Sequence, residues 1–414
     1  MAPTLSRNVL YHGRENPPPE QTALAAGPLS MVYEEGGLRF ISLGDREVLR
    51  GVYVATRDRY WRTVPCALDH VEIQVAADSF SIAYDATNCS DEVDFFWKGS
   101  ITGDPGGTVT FRMEGVARKA FQRNRIGFCV LHGTRECAGA RCEIEHVDGT
   151  VQRAVFPHLV SPDQPFLEIR VISHEVAPGL WAEVRLSGDI FEMEDQRNWT
   201  DASFKTYCTP LRLPFPAEVS EGTTIAQSVT LRLRGTAPPG PRASSSRMTL
   251  AIGAPSTAVP RIGLGVANHA QPLAELELGR LKALNMSHLR VDLSFERPNW
   301  VHALERATRE AKALGAALEV ALFLSHRASD ELRSLRAMLD RVRAPVCTWL
   351  VFHANEPSTT RRWCTLAREM LKGYDPAARI GGGTNMYFAH LNRNRPPVDA
   401  LDLICYSVNP QVHA

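Results

Sequence analysis

Single apolar and polar residues alternate along most of the chain before residue 236. The segments VEIQV at 71–75, LEIRV at 167–171 and VTLRLR at 229–234 each repeat with a period of two. This period gives a strand one apolar face and one hydrated face, as in antiparallel sheets that pack face to face. Turn-forming segments such as GDPGG at 103–107 separate the runs. The pattern predicts an antiparallel β-sandwich over residues 28–236, preceded by an N-terminal extension at 1–27.

The pattern changes after a segment at 237–248, APPGPRASSSRM, which is rich in Pro, Gly and Ser and has few side chains to bury. Such a composition is typical of an inter-domain linker. Beyond it, amphipathic helical patterns separate several apolar runs, which lie at 262–266, 288–293, 318–324, 348–353, 379–384 and 401–406. Apolar strands that alternate with helices indicate a parallel sheet whose two faces are both covered.

The spacing of these runs favours a (β/α)8-type barrel, or TIM barrel, over residues 249–414. Such a barrel uses about 31 residues for each strand and helix, which fits most of the intervals. A doubly wound sheet is the alternative, but GLGVAN at 263–268 and GGGTNM at 381–386 both lack the GxGxxG spacing of its phosphate-binding turn. Because only six strands are predicted, we expect the barrel to be incomplete at the C-terminus. The fold class is therefore multidomain, β followed by α/β.

Composition narrows the range of partners. Lys and Arg together number 46, as do Asp and Glu, so the formal charge is zero. A neutral chain lacks the positive field that holds nucleic acid or anionic lipid, so we predict neither partner. The sequence has no stretch of about 20 apolar residues and no apolar targeting segment near its start. Nine scattered cysteines indicate free thiols in a reducing cytoplasm.

The sharpest chemical signal follows the fourth predicted strand, where WLVFHANEP spans 349–357. Catalytic residues of TIM barrels lie at the carboxyl ends of the strands, so we predict Glu356, His353 and Asn355 as catalytic residues. Asn-Glu-Pro at this place resembles the acid/base signature of retaining glycosidase barrels. The alternative for Glu356 is a rim carboxylate that pairs with a helix N-terminus. The substrate-binding residues predicted on other strands of this unit are Arg290, Asp292 and Tyr406.

A second distinctive segment, at 191–207, is dense in polar and aromatic residues that do not alternate, as expected for a recognition loop. Asp195, Arg197, Asp201 and Lys205 are predicted to bind a polyol and polarise a carbonyl. The alternative is a loop whose ion pairs satisfy one another. His132 is a weaker candidate, with a satisfied buried histidine as the favoured interpretation.

Four segments together resemble the D-apionate lactonase family of apiose catabolism. They are NRIGFCVLH at 124–132, FEMEDQRNWTDASFKTYCTPLRLPFP at 191–216, HANEPS at 353–358 and CYSVNPQVHA at 405–414. The resemblance implies a β-sandwich beside a glycosidase-like barrel, and hydrolysis of the branched sugar lactone D-apionolactone to D-apionate. It also implies further strands beyond residue 414, since family members are longer. Lactone hydrolysis needs a base for water and a donor for the oxyanion, and we assign these roles to Glu356 and to Arg290 or Arg197.

Two other functions remain open. One is a retaining glycosidase, which needs a second carboxylate about 5 Å from the first. The other is a non-catalytic carbohydrate-binding protein. The sequence contains no GxSxG, HExxH or P-loop motif, so serine-esterase, zinc-protease and nucleotide chemistries lose their usual support. We expect no cofactor and no metal, and a small sugar lactone as the partner. The oligomeric state is left open.

Overall fold

A computed structural model describes residues 5–235, 250–254, 257–267, 269 and 271–408 of the chain. These residues form two compact units, which divide near residue 248. The predicted linker at 237–248 lies outside the described residues. Among the described helices, none is both long and apolar enough to cross a bilayer.

The first unit is built almost entirely of antiparallel strands. It has two short helices, α1 (Arg7–His12) and α2 (Thr134–Cys137), and a 3-10 turn at Gln196–Trp199. Its strands are β1 (Thr22–Ala26), β2 (Leu29–Glu34), β3 (Gly37–Leu43), β4 (Arg46–Asp58), β5 (Cys66–Val75), β6 (Phe80–Cys89), β7 (Asp94–Gly103), β8 (Val109–Ala117), β9 (Phe121–Gly133), β10 (Arg141–His146), β11 (Val151–Val155), β12 (Ile169–Ala177), β13 (Leu180–Ser187), β14 (Glu192–Asp195), β15 (Ser203–Tyr207), β16 (Ala217–Val219) and β17 (Thr224–Gly235).

These strands form two sheets with one core between them. The first sheet has the order β1-β2-β3-β4-β9-β15-β14, with β16 also paired to β9, and the second has the order β11-β10-β12-β13-β17-β8-β7-β6-β5. Alternate residues are buried along strands such as β6 and β7, whereas the edge strand β5 is almost fully exposed. Phe111 of the second sheet meets Phe128 of the first edge to face at 4.8 Å. The prediction of antiparallel β structure is confirmed. β1 pairs with β2, so the first sheet starts at Thr22, ahead of the predicted boundary at residue 28.

The second unit is a parallel sheet with helices between its strands. Its strands are β18 (Gly263–Gly265), β19 (His288–Ser294), β20 (Ala317–Leu324), β21 (Val346–His353), β22 (Arg379–Tyr387) and β23 (Leu403–Ser407). Its helices are α3 (Glu275–Ala283), α4 (Trp300–Leu314), α5 (Ala328–Val342), α6 (Arg361–Leu371) and α7 (Phe388–Arg393), and a 3-10 turn spans Val398–Ala400. The six strands follow one another in sequence order and every pair is parallel. The alternation of strands and helices predicted from the sequence is confirmed.

This sheet is curled into a half-barrel. The Arg290 side chain on β19 donates a hydrogen bond to the Asn385 side chain on β22, three strands away. Adjacent strands lie about 4.8 Å apart, so a flat sheet would hold these two side chains out of reach of each other. The face that carries both side chains is therefore concave. The opposite face packs on α4, α5 and α6 through a core that includes Val320, Trp349 and Val351.

Candidate active site

Glu356 follows β21 and is held by the start of α6. Its Oε1 accepts a hydrogen bond from Trp363 Nε1 at 2.8 Å, and its Oε2 accepts one from Thr360 Oγ1 at 3.0 Å. Thr360 is the N-cap residue that directly precedes α6, so the carboxylate lies at the positive end of the helix dipole. The side chain is 29% exposed. A carboxylate can accept about four hydrogen bonds, so these two donors orient Glu356 and still leave room for water.

His353 supports this arrangement from the helix-facing side of the sheet. Its ring stacks on Trp363, with centroids 4.5 Å apart and planes 10° apart. Its Nδ1 accepts a hydrogen bond from the Asn355 backbone N–H at 3.3 Å and lies 3.9 Å from Glu356 Oε1. Trp349 and Val351, which precede His353 by four and two residues on the same strand face, belong to the helix-side core. The three predicted catalytic residues are thus together, with His353 turned away from the concave face.

Arg290 and Asp292 form a second polar group on the concave face. Arg290 Nε donates to Asp292 Oδ1 at 2.8 Å, and Arg290 Nη2 donates to Asn385 Oδ1 at 3.1 Å. Sequence reasoning missed Asn385, although it directly follows the predicted strand at 379–384 and lies within β22. Cys405 lies near the same group. Burial raises the pKa of its thiol to about 12, although the nearby Arg290 charge alone would lower it. This group offers one fixed cation and one carboxylate to a ligand on the concave face.

Tyr406 lies on the other face of β23. Its neighbours Leu403 and Cys405 pack against the concave-face core, whereas the Tyr406 ring meets Phe388 of α7 at 5.4 Å. Side chains alternate between faces along a strand, so Tyr406 points away from Arg290 and Asp292. The structure does not bring Tyr406 together with the other predicted substrate-binding residues of this unit.

In the first unit, Asp195 and Arg197 satisfy each other. Arg197 Nε and Nη2 donate to the two carboxylate oxygens of Asp195 at 2.9 and 2.7 Å. Arg197 also donates to the backbone carbonyls of Pro157, His158 and Leu159. The Asp195 side chain is fully buried and accepts a further hydrogen bond from the Ser161 N–H. This arrangement is the self-satisfied loop that the sequence left open as the alternative.

Lys205 belongs to a different group from Asp195. Its Nζ lies 3.3 Å from Glu194 Oε2, and Glu194 Oε1 accepts a hydrogen bond from Trp199 Nε1 at 2.6 Å. Asp201 is exposed nearby in sequence, and its backbone N–H donates to the Gln196 carbonyl. Sequence reasoning missed Glu194. The signal that would have found it is strand pairing, since Glu194 lies directly opposite Lys205 on β14 and β15.

Fold and polar groups together define the class of this protein. It is an antiparallel β-sandwich unit followed by a TIM-barrel-type α/β unit, with charged side chains on β19 and just after the end of β21. The N-terminal domain of D-apionate lactonase matches residues 9–236, and the TIM barrel domain of D-apionate lactonase matches residues 262–414. The chain belongs to the D-apionate lactonase family.

Comparison with individual proteins adds one curated relative and weaker structural likenesses. A D-apionate lactonase of Brucella anthropi is 31% identical over 428 residues, which cover 98% of this chain and 69% of the relative. A solved structure from Synechocystis sp. PCC 6803 covers 53% of this chain and 97% of its own, at 10% identity and a TM-score of 0.36. A β-arabinopyranosidase structure covers 87% of this chain and 66% of its own, at 9% identity and a TM-score of 0.35. These low TM-scores add nothing to the family assignment.

Proposed function

We propose that this protein hydrolyses a sugar lactone, D-apionolactone, to D-apionate, as a step of apiose catabolism. The observation that carries the proposal is the similarity, over 98% of the chain, to a relative named D-apionate lactonase. The free state of all nine cysteines supports a reducing cytoplasm as its location.

In the proposed mechanism, Glu356 is the general base. Its carboxylate takes a proton from a water molecule, and the water oxygen forms a bond to the lactone carbonyl carbon. The acyl C–O bond of the ring then breaks, and the ring oxygen leaves as a hydroxyl after taking the proton back from Glu356. The supporting geometry is a partly exposed carboxylate at the end of a parallel strand, with both oxygens oriented by Trp363 and Thr360.

Arg290 is proposed to stabilise the negative charge that develops on the carbonyl oxygen. A fixed guanidinium is well suited to this role, since donors already in place need no reorganisation when the charge forms. Arg197 is the less suitable alternative, because Asp195 and three backbone carbonyls already engage its guanidinium. Asp292 holds Arg290 in position through its 2.8 Å hydrogen bond.

The test is Glu356→Gln, which keeps the shape of the side chain and cannot take a proton. General-base catalysis contributes about 100-fold or more, so kcat/KM for D-apionolactone should fall by at least about 100-fold. Glu369→Gln, an exposed substitution on α6, is the matched control and should leave turnover unchanged. Full activity of Glu356→Gln in the correctly folded protein would remove Glu356 from the mechanism.

A further inference from the structure

The first sheet carries a largely buried group of polar side chains on the face turned away from its core. Tyr207 pairs with Cys129 on one side and with Glu192 on the other, and Lys205 pairs in the same way with Leu131 and Glu194. Residues that alternate with these, such as Phe128, Phe204 and Met193, belong to the sandwich core. Arg125 lies on the polar face of β9. We call Arg125, Glu194, Lys205, Tyr207 and Trp199 the sheet-face cluster.

Lys205 and Glu194 form an ion pair that is largely buried. The exposed fractions of the two side chains are 16% and 15%. Burial alone would raise the pKa of the Glu194 carboxyl, but the Lys205 ammonium, the Trp199 hydrogen bond and the Arg125 charge outweigh burial and lower it. Glu194 is therefore held as an ionised acceptor. Hydrogen bonds to charged groups of this kind are about twice as strong as neutral ones.

Arg125 supplies a cation without a carboxylate in contact. Its guanidinium carbon lies 3.8 Å from the centroid of the Tyr207 ring and 4.8 Å from that of the Trp61 ring. Among the described residues, no carboxylate oxygen comes within ion-pair distance of Arg125, and its buried Nε has no hydrogen-bond partner. Burying a charged donor costs free energy unless it is paired. The two Nη groups of Arg125 are not among the buried unpaired atoms, and a planar guanidinium matches the two oxygens of a carboxylate.

Aromatic rings border these charges. Trp61 meets Phe215 edge to face at 5.2 Å, and Trp199 donates to Glu194 from the 3-10 turn. The Tyr207 hydroxyl donates a hydrogen bond to Glu192 at 2.5 Å. Tyr207 therefore contributes only its ring, which packs against the Arg125 guanidinium. Small-molecule sites combine aromatic walls with a few oriented polar groups in this way.

We propose that the sheet-face cluster is a binding site for a polyhydroxylated carboxylic acid or its lactone. Arg125 and Lys205 contact the carboxyl or carbonyl oxygens, and Glu194 accepts hydrogen bonds from hydroxyl groups. The choice of ligand class rests on the proposed lactonase function. The location rests on the contacts of the sheet-face cluster and not on Asp195 and Arg197, which are fully engaged with each other.

Calorimetric titration of the full chain with D-erythronate, a four-carbon polyhydroxylated acid, tests the site. Erythritol, which has the hydroxyl groups and no carboxyl group, should bind at least tenfold more weakly. Arg125→Gln should weaken D-erythronate binding at least tenfold, whereas Lys98→Gln, an exposed lysine on the second sheet, should leave it unchanged. Unchanged affinity of Arg125→Gln, or no binding to the unaltered protein, would overturn the proposal.

A second variant covers the case in which Arg125→Gln fails to fold. The double substitution Glu194→Gln with Lys205→Gln removes both charges of the ion pair together and leaves neither unpaired. It too should weaken D-erythronate binding at least tenfold; a folded double variant with unaltered affinity would refute the site. The two proposals fail separately: D-erythronate binding through Arg125 without lactone turnover refutes the lactonase function alone, and turnover with Arg125-independent binding refutes the site alone.

Discussion

At the scale of single residues, two histidines face each other inside the sandwich. The rings of His132 and His174 lie 5.2 Å apart, edge to face, beside Phe156. In the described part of the chain, none of their four ring nitrogens makes a well-formed hydrogen bond. Burial lowers the pKa of His174 to about 4 and that of His132 well below its ordinary value, and contacts with backbone groups offset this only in part. Both histidines are therefore neutral at pH 7.

Stability should therefore fall with acidification. An unfolded histidine has a pKa of about 6.5. As the pH drops from about 6.5 towards 4, the unfolded chain therefore binds protons that the buried histidines of the folded chain do not bind. Above about pH 6.5 the neutral His174 places no penalty on the free energy of unfolding. Between about pH 6.5 and pH 4 the free energy of unfolding should fall by about 3 kcal/mol on account of His174. Urea unfolding followed at several pH values between these limits measures it.

His174→Leu should reduce this acid sensitivity by about the same amount, whereas the exposed His158→Gln should not alter it. An unaltered pH dependence in His174→Leu would mean that the histidine is not buried as a neutral group. The sequence favoured a satisfied buried histidine at position 132; His132 is buried in the structure, but its ring nitrogens make no well-formed hydrogen bond with the described residues. Nothing in the sequence indicated that His174 lies opposite, because that contact joins residues far apart in the chain.

A residue-scale prediction concerns Trp363, which we assign as a positioning residue. Trp363→Phe keeps an aromatic ring for His353 to stack on and removes the N–H that donates to Glu356. Without this hydrogen bond, the Glu356 carboxylate spends less time in the orientation that activates water. We therefore expect kcat for D-apionolactone to fall about tenfold, with KM nearly unchanged. Steady-state kinetics measure this, with Trp300→Phe as a control elsewhere in the same unit. Equal kinetic effects of both substitutions would argue against positioning.

At the scale of elements, close contact between β22 and β23 depends on glycine. Gly383 has φ +139°, and a Cβ there would lie 2.2 Å from the Cys405 carbonyl oxygen. The Gly383 N–H donates to Thr359 Oγ1 at 3.0 Å, and the Thr359 hydroxyl itself donates to the Val351 carbonyl. These contacts tie the loop that carries Glu356 to the next strand. The segment GGGTNM thus serves strand packing in the structure.

Gly383→Ala should accordingly destabilise the second unit. Backbone strain of this kind costs about 1–3 kcal/mol, and the clash with a backbone oxygen has no flexible side chain to relieve it. Gly373→Ala is the control, since no atom lies within 4 Å of its added Cβ. Thermal unfolding of both variants compares them. A Gly383→Ala protein as stable as Gly373→Ala would show that β22 and β23 are not packed this closely.

The elements also show what the sequence could and could not provide. In the first unit, runs that alternate with a period of two predicted antiparallel strands. In the second unit, the polar residues that follow the apolar run at 348–353 indicated Glu356. The faces of His353 and Tyr406 follow from counting along β21 and β23 once the core side is known, which the sequence alone does not supply. The three backbone carbonyls that accept hydrogen bonds from Arg197 lie about 40 residues earlier in the chain, and nothing local identifies them.

At the scale of the whole molecule, each unit carries charged groups of the kind that lactone chemistry requires. The half-barrel carries the oriented Glu356 and the concave-face Arg290, and the sandwich carries the sheet-face cluster. The sequence correctly predicted antiparallel β structure followed by alternating strands and helices, because the change from period two to strand–helix alternation is visible in the chain. Which charged residues engage one another depends on pairing across strands and became visible only in the fold.

The most direct test of the proposed function measures cleavage of two bonds: the ester bond of a lactone and the glycosidic bond of an aryl pentoside. The full chain is incubated with D-apionolactone at neutral pH in a pH-stat, and in parallel with a chromogenic aryl pentoside. We predict acid release well above the spontaneous rate, with D-apionate as the product, and no release of the aryl group. Aryl release without lactone opening, or lactone opening only at the rate seen in buffer, would contradict the assignment.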